Sequence, residues 1–105
     1  MSFTNALPKI FSGESIERNA PTASGVYGLS NASNWLFIGE SDNIKASMLG
    51  HLNRSGPIKL NAEPTGFSFE LSDQHSRLAR QQYLIVELSP SCQNGRVSQK
   101  RKSYR

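Results

Sequence analysis

Sulfur chemistry is nearly absent from this chain: among 105 residues there is one cysteine, Cys92. A lone cysteine excludes an internal disulfide and any cysteine-rich zinc site. Long hydrophobic runs are missing too, and no apolar stretch approaches the ~20 residues needed to span a bilayer. The first residues show no basic segment leading into an apolar one, so no secretory signal is expected and the expected compartment is cytoplasmic. Apolar residues make up 36% of the chain and mean hydropathy is −0.49, which fits a soluble protein with frayed ends. The length suits one domain with a single modest core. No internal repeat is present.

Charge is scarce in the body and concentrated at the end. Arg96, Lys100, Arg101, Lys102 and Arg105 place five positive charges in the last ten residues, which carry no acid. The other 95 residues hold seven Lys/Arg against eight Asp/Glu, so the net +4 belongs entirely to the tail. Such a tail can gather phosphates without reading sequence. It can equally be a solvated terminus that keeps the protein soluble.

Residues 1–23 read as a partly ordered N-terminal arm, with a short helix around 14–19 as one option. Regular structure is expected from Gly25. Gly25–Leu29 and Trp35–Glu40 read as strands, and Ser30-Asn31-Ala32-Ser33-Asn34 between them supplies turn chemistry too short for a crossover, which predicts an antiparallel pair. Ser41 or Asp42 can cap a following helix whose apolar residues Ile44, Met48 and Leu52 recur every four residues, with Leu49 alongside. The alternation Phe67-Ser68-Phe69-Glu70-Leu71 predicts a third strand with one face buried. Ser72 or Asp73 can cap a last helix carrying Leu78, Tyr83, Leu84, Ile85 and Leu88, before Pro90. The expected fold is α+β, a β-β-α-β-α core with a three-stranded antiparallel sheet flanked by helices over 24–94, followed by a basic tail at 95–105.

Within that core, Gly25-Val26-Tyr27 and Phe37-Ile38-Gly39 sit ten residues apart, each strand carrying a ring close to a glycine. Glu40-Ser41-Asp42-Asn43-Ile44 and a helix bearing His51 follow, and Tyr83-Leu84-Ile85-Val86-Glu87-Leu88-Ser89-Pro90 comes late in the chain. Each tripeptide alone is a weak signal. Together, in this order, they resemble the GIY-YIG nuclease superfamily over about residues 24–94, with Phe37 where its second tyrosine stands.

The resemblance implies a site in which tyrosines, an arginine, a histidine and a metal-binding glutamate surround one scissile phosphate. Hydrolysis of a phosphodiester needs an activated water, a cation to spread the developing charge and a metal at the leaving oxygen. Tyr27 takes the place of the family's first tyrosine, implicated as a general base or its hydrogen-bonding partner; alone, it could equally be a half-buried strand residue. Phe37 keeps a ring and lacks the hydroxyl, so it can only pack. The arginine position falls on Ser47, which offers one neutral donor instead of a charged fork. Lys45 is two residues off that position and Arg54 seven residues on, about 10 Å further along the axis. The glutamate position falls on Gln81, a weak metal ligand because it has no charge. The family's late asparagine corresponds to Gln93, with Asn94 adjacent. His51 matches the family histidine or is simply a helix histidine near solvent, and His75 has no motif around it.

The implied function is a domain related to DNA endonucleases that binds or acts on DNA, with Mg2+ or Mn2+ as cofactor if it is active. Cleavage is expected to be impaired by Ser47 and Gln81. Lys45, Arg54, Arg96, Lys100, Arg101, Lys102 and Arg105 are the candidate phosphate contacts. The alternative is a catalytically silent module that binds nucleic acid or a protein partner, or pairs with itself. No membrane partner is expected. Cys92 lies past a helix C-terminus, whose dipole is wrong for activating a thiol, and no thiol-catalysis motif surrounds it.

Overall fold

The computed structural model describes residues 8–32, 34–53 and 63–91. Its elements run β1 (Lys9–Ile10), α1 (Gly13–Asn19), β2 (Gly25–Ser30), β3 (Trp35–Ser41), α2 (Ile44–Leu52), β4 (Gly66–Leu71) and α3 (Arg77–Leu88). All strand pairs are antiparallel, in the order β1-β4-β2-β3. The expected β-β-α-β-α core is therefore present. It is extended by an edge strand and a helix from the N-terminal arm, so among the described residues the sheet has four strands where three were expected. Cys92, Gln93, Asn94, Arg54 and the basic residues from Arg96 onward lie outside the described residues.

β2 is central and every one of its residues is buried. Because side chains alternate across a strand, Tyr27 and Leu29 face one way and Val26 the other. The first face packs with Phe37 and Phe67 against Ile16 and Ala20 from α1 and its end, and against Ile44 and Met48 of α2. On the second, Val26 and Ile38 meet Leu84 of α3. Gly25 is required where β2 crosses β4, since a Cβ there would overlap the Glu70 carbonyl and press on Ile44.

Several boundaries move from expectation, each for a local reason. The α2 cap is Asn43, whose side chain accepts from the Ala46 N–H at 3.0 Å, instead of Ser41 or Asp42. Asp73 does not cap α3: its carboxylate holds the turn before it, accepting from the His75 and Ser76 N–H groups, and the helix starts at Arg77. β4 does not keep one face buried to its end. Phe67 is buried, but Leu71 is 62% exposed. In α3, Leu84 is buried whereas Leu78 and Tyr83 face solvent. No helix among the described residues is long and apolar enough to cross a membrane.

Candidate functional site

The site is built where β2, β3 and the C-terminal half of α2 converge. β2 and β3 pair with Tyr27 opposite Gly39. Having no side chain, Gly39 lets the Tyr27 ring lie across it; a Cβ there would overlap the phenol end of that ring. The ring therefore reaches over the edge strand toward α2, where His51 waits in the last turn. Tyr27 Oη and His51 Nε2 are 2.9 Å apart. Phe37 completes an aromatic triangle, with centroids 6.1 Å from Tyr27 and 5.2 Å from His51. Its position against both rings fits a packing role.

Ser47 lies one helical turn before His51 and joins the same cluster. Its hydroxyl donates to Ser41 Oγ at 2.7 Å, and its nearness to Tyr27 slightly favours the ionised phenol. Ser41 accepts in addition from the Asn43 N–H at 2.9 Å, which ties the cluster to the cap of α2. The group is thus a chain of neutral hydroxyls and one imidazole. Burial holds the Tyr27 phenol far above its ordinary value, the negative charge of Glu40 pushes the same way, and Ser47 pulls only partly back. Burial also lowers the His51 imidazole below its usual range. At neutral pH both groups are uncharged: Tyr27 is a phenol, not a phenolate.

Gln81 joins from α3, which packs on the other face of the sheet. Its Nε2 donates to the Ile38 carbonyl at 3.0 Å, one peptide unit from the glycine under Tyr27. Lys45 is occupied elsewhere, its ammonium bonding the Glu17 carbonyl at 3.0 Å and pairing with the Glu17 carboxylate at 3.7 Å. His75 lies in the exposed turn before α3. So the structure gathers Tyr27, Phe37, Ser47 and His51, brings Gln81 to the adjacent backbone, and ties Lys45 to α1.

Sequence reasoning passed over Glu40, which raises the proton affinity of Tyr27 and pairs with Arg77 of α3. Its place directly after Gly39 was the available signal. Arg77 also donates to Ser24 Oγ at 2.9 Å, and Arg80 grips both oxygens of Glu70.

The donor set does not fit a divalent cation of the Mg2+ type, which is normally held through one or two carboxylates. Gln81 turns its N–H to the backbone, and the Glu40 carboxylate is committed to Arg77. Among the described residues no three His, Cys, Asp or Glu side chains gather closely enough to hold a metal.

No protein-family model and no curated protein matches the chain. Solved structures do. The GIY-YIG N-terminal endonuclease domain of UvrC from Thermotoga maritima, a point mutant bound to its catalytic divalent cation, aligns with a TM-score of 0.57 at 17% identity, over 74% of this chain and 93% of that one. A tyrosine-to-phenylalanine mutant of the same domain aligns with a TM-score of 0.54 at 20% identity, over 74% and 94%. The form bound to magnesium gives 0.54 at 19%, over the same shares. At this identity the likeness speaks for architecture, and this chain has the fold of the GIY-YIG endonuclease domains.

Proposed function

We propose that this is an endonuclease-related domain that engages DNA and whose phosphodiester cleavage is impaired. The observation that carries the reading is the Tyr27–His51 hydrogen bond, with the uncharged Ser47, bonded to Ser41, at the position the resemblance gives to an arginine. In a nuclease a nearby cation would lower the phenol toward ionisation and spread charge in the transition state. Here a neighbour of Tyr27 is the uncharged hydroxyl of Ser47, and the charge that acts on the phenol is the carboxylate of Glu40, of the wrong sign. Losing one electrostatic stabiliser typically costs about a hundred- to a thousandfold in rate, and the positions that the resemblance gives to the arginine and the glutamate hold Ser47 and Gln81. Tyr27 and His51 can still orient a water or a phosphate oxygen by hydrogen bonding. Mg2+ or Mn2+ would be needed for any remaining cleavage.

A second reading, a silent module that binds nucleic acid or a protein partner, is favoured by where the charge lies. Arg18, Lys45, Arg77 and Arg80 each pair with a carboxylate, so their charge is largely spent within the fold. The cluster Arg96, Lys100, Arg101, Lys102 and Arg105 has no acid within its ten residues. An arginine and a carboxylate brought to Tyr27 by a second copy or another partner would instead reopen the catalytic reading.

Cleavage of supercoiled plasmid with Mg2+ or Mn2+, alongside Tyr27→Phe, separates the two. Weak nicking abolished by Tyr27→Phe supports the impaired nuclease. No nicking at high protein concentration, with DNA binding that is steeply salt-dependent and lost on removing residues 96–105, supports the silent binder. No binding and no nicking would sink both nucleic-acid readings.

A further inference from the structure

The Ile38–Gly39 peptide unit is touched from both sides. Tyr27 lies over Gly39 so closely that any side chain there would displace its ring. Gln81 donates to the Ile38 carbonyl from α3. β3 is an edge strand, and carbonyls on the open side of an edge strand have no ladder partner and must find another donor. Two are met by later segments of the chain: Trp35 O accepts the Ser91 N–H at 3.0 Å, and Ile38 O accepts Gln81.

We infer that Gln81 is a positioning residue whose amide N–H pins the Ile38–Gly39 peptide, and with it the floor beneath the Tyr27 ring. This exchanges a cation ligand for a backbone clamp at the position where the resemblance places the family's glutamate. The two roles are incompatible in one side chain. An ionised carboxylate has no hydrogen to give, and held in this place it would set an anionic oxygen against the Ile38 carbonyl oxygen. Gln81→Glu therefore breaks the clamp before it can build a metal site. The expected result of reversing both losses, Ser47→Arg with Gln81→Glu, is a disturbed β3 edge and not recovered cation binding.

The inference shares with the proposed function the register that puts Gln81 at the ligand position. Its test uses no nucleic acid, so either can fail alone. In the isotope-labelled full chain, Mn2+ should broaden no amide signal selectively around residues 27, 39, 51 and 81. Gln81→Met, similar in length but without a donor, should speed amide exchange around Gly39 by about fivefold, the effect of one lost neutral hydrogen bond, and shift the His51 ring signals. Gln81→Glu should do the same without gaining selective Mn2+ broadening. Selective broadening centred on Gln81 in the wild-type protein overturns the inference, as does wild-type exchange in Gln81→Met. Should that variant not fold, the wild-type Gln81 amide protons decide. Slow exchange with a coupling to the Ile38 carbonyl carbon upholds the clamp, and exchange at the solvent rate overturns it.

Discussion

The two faces of the sheet are held by different physics. Between the sheet and helices α1 and α2, Leu29, Phe37 and Phe67 meet Ile16, Ile44 and Met48 in an apolar layer whose cohesion is non-directional. Against α3 the buried apolar contact shrinks to Val26, Ile38 and Leu84. That helix is oriented instead by Arg77 on Glu40, Arg80 on Glu70 and Gln81 on the β3 backbone. Apolar packing fixes how much is buried, whereas these bonds fix the angle and register at which α3 sits. The first face supplies the aromatic site. The second decides what can reach it.

Removing Phe67 should break the first face outright. Phe67→Ala is expected to cost about 3–5 kcal/mol, as for a fully buried aromatic, read as a lowered urea midpoint with little dependence on salt. Gly39→Ala should cost about 1–3 kcal/mol by forcing the Tyr27 ring aside, and the His51 ring signals should report the lost Tyr27 bond. An unchanged His51 spectrum in that variant would mean that the ring does not need the glycine.

Arg80→Ala tests the second face. It leaves the mostly buried Glu70 carboxylate without its two-point partner, an expected loss of about 1–3 kcal/mol. Here the gap to wild type should narrow as salt is raised. A salt-independent loss as large as that of Phe67→Ala would erase the contrast between the faces.

His51 gives the apolar face a pH dependence. Its folded value lies below the ordinary 6.5, so the unfolded chain takes up the proton first. The stability tied to neutral His51 is complete above pH 6.5 and is lost as pH falls from there through the lowered folded value. Unfolding midpoints at pH 7.5 and 5.5 should differ less in His51→Gln than in wild type. The smallest effect is expected at the end of α3. Ser89 sits in the left-handed region at φ 50°, and Ser89→Gly should gain about 0.5–1 kcal/mol, measured by thermal unfolding.

Most of the fold was legible because its elements announce themselves locally. β2, β3, α2, β4 and α3 carry alternation, four-residue periodicity or turn residues, and the glycine-bearing strand pair joins them into one topology. What was not legible depends on distance or on competition between neighbours. β1 is two residues long and exists only because Lys9 and Ile10 find Phe67 and Gly66. Ser41, Asp42 and Asn43 can each cap a helix, and only the geometry selects Asn43. Leu71, Leu78 and Val86 are apolar yet exposed, since composition does not say which way a residue faces. Within the site, the resemblance put Tyr27 and His51 in one group, and their 2.9 Å contact could be seen only in the fold. Nothing in a glutamine on a helix announced that it would donate to a strand edge.

The strand order also sets the order of assembly. β2 and β3 are joined by a short turn and can pair as soon as both exist, at little loop-closure cost. β4 must then find β2 across the whole of α2 and the segment after it. Among the described residues β1 pairs only with β4, so β1 has no partner in the sheet until β4, which follows it by more than fifty residues, is in place. Ile16, just behind β1, is fully buried in the finished core and shares its cluster with Phe67 of β4. β1 is the keystone, set after the arch is built.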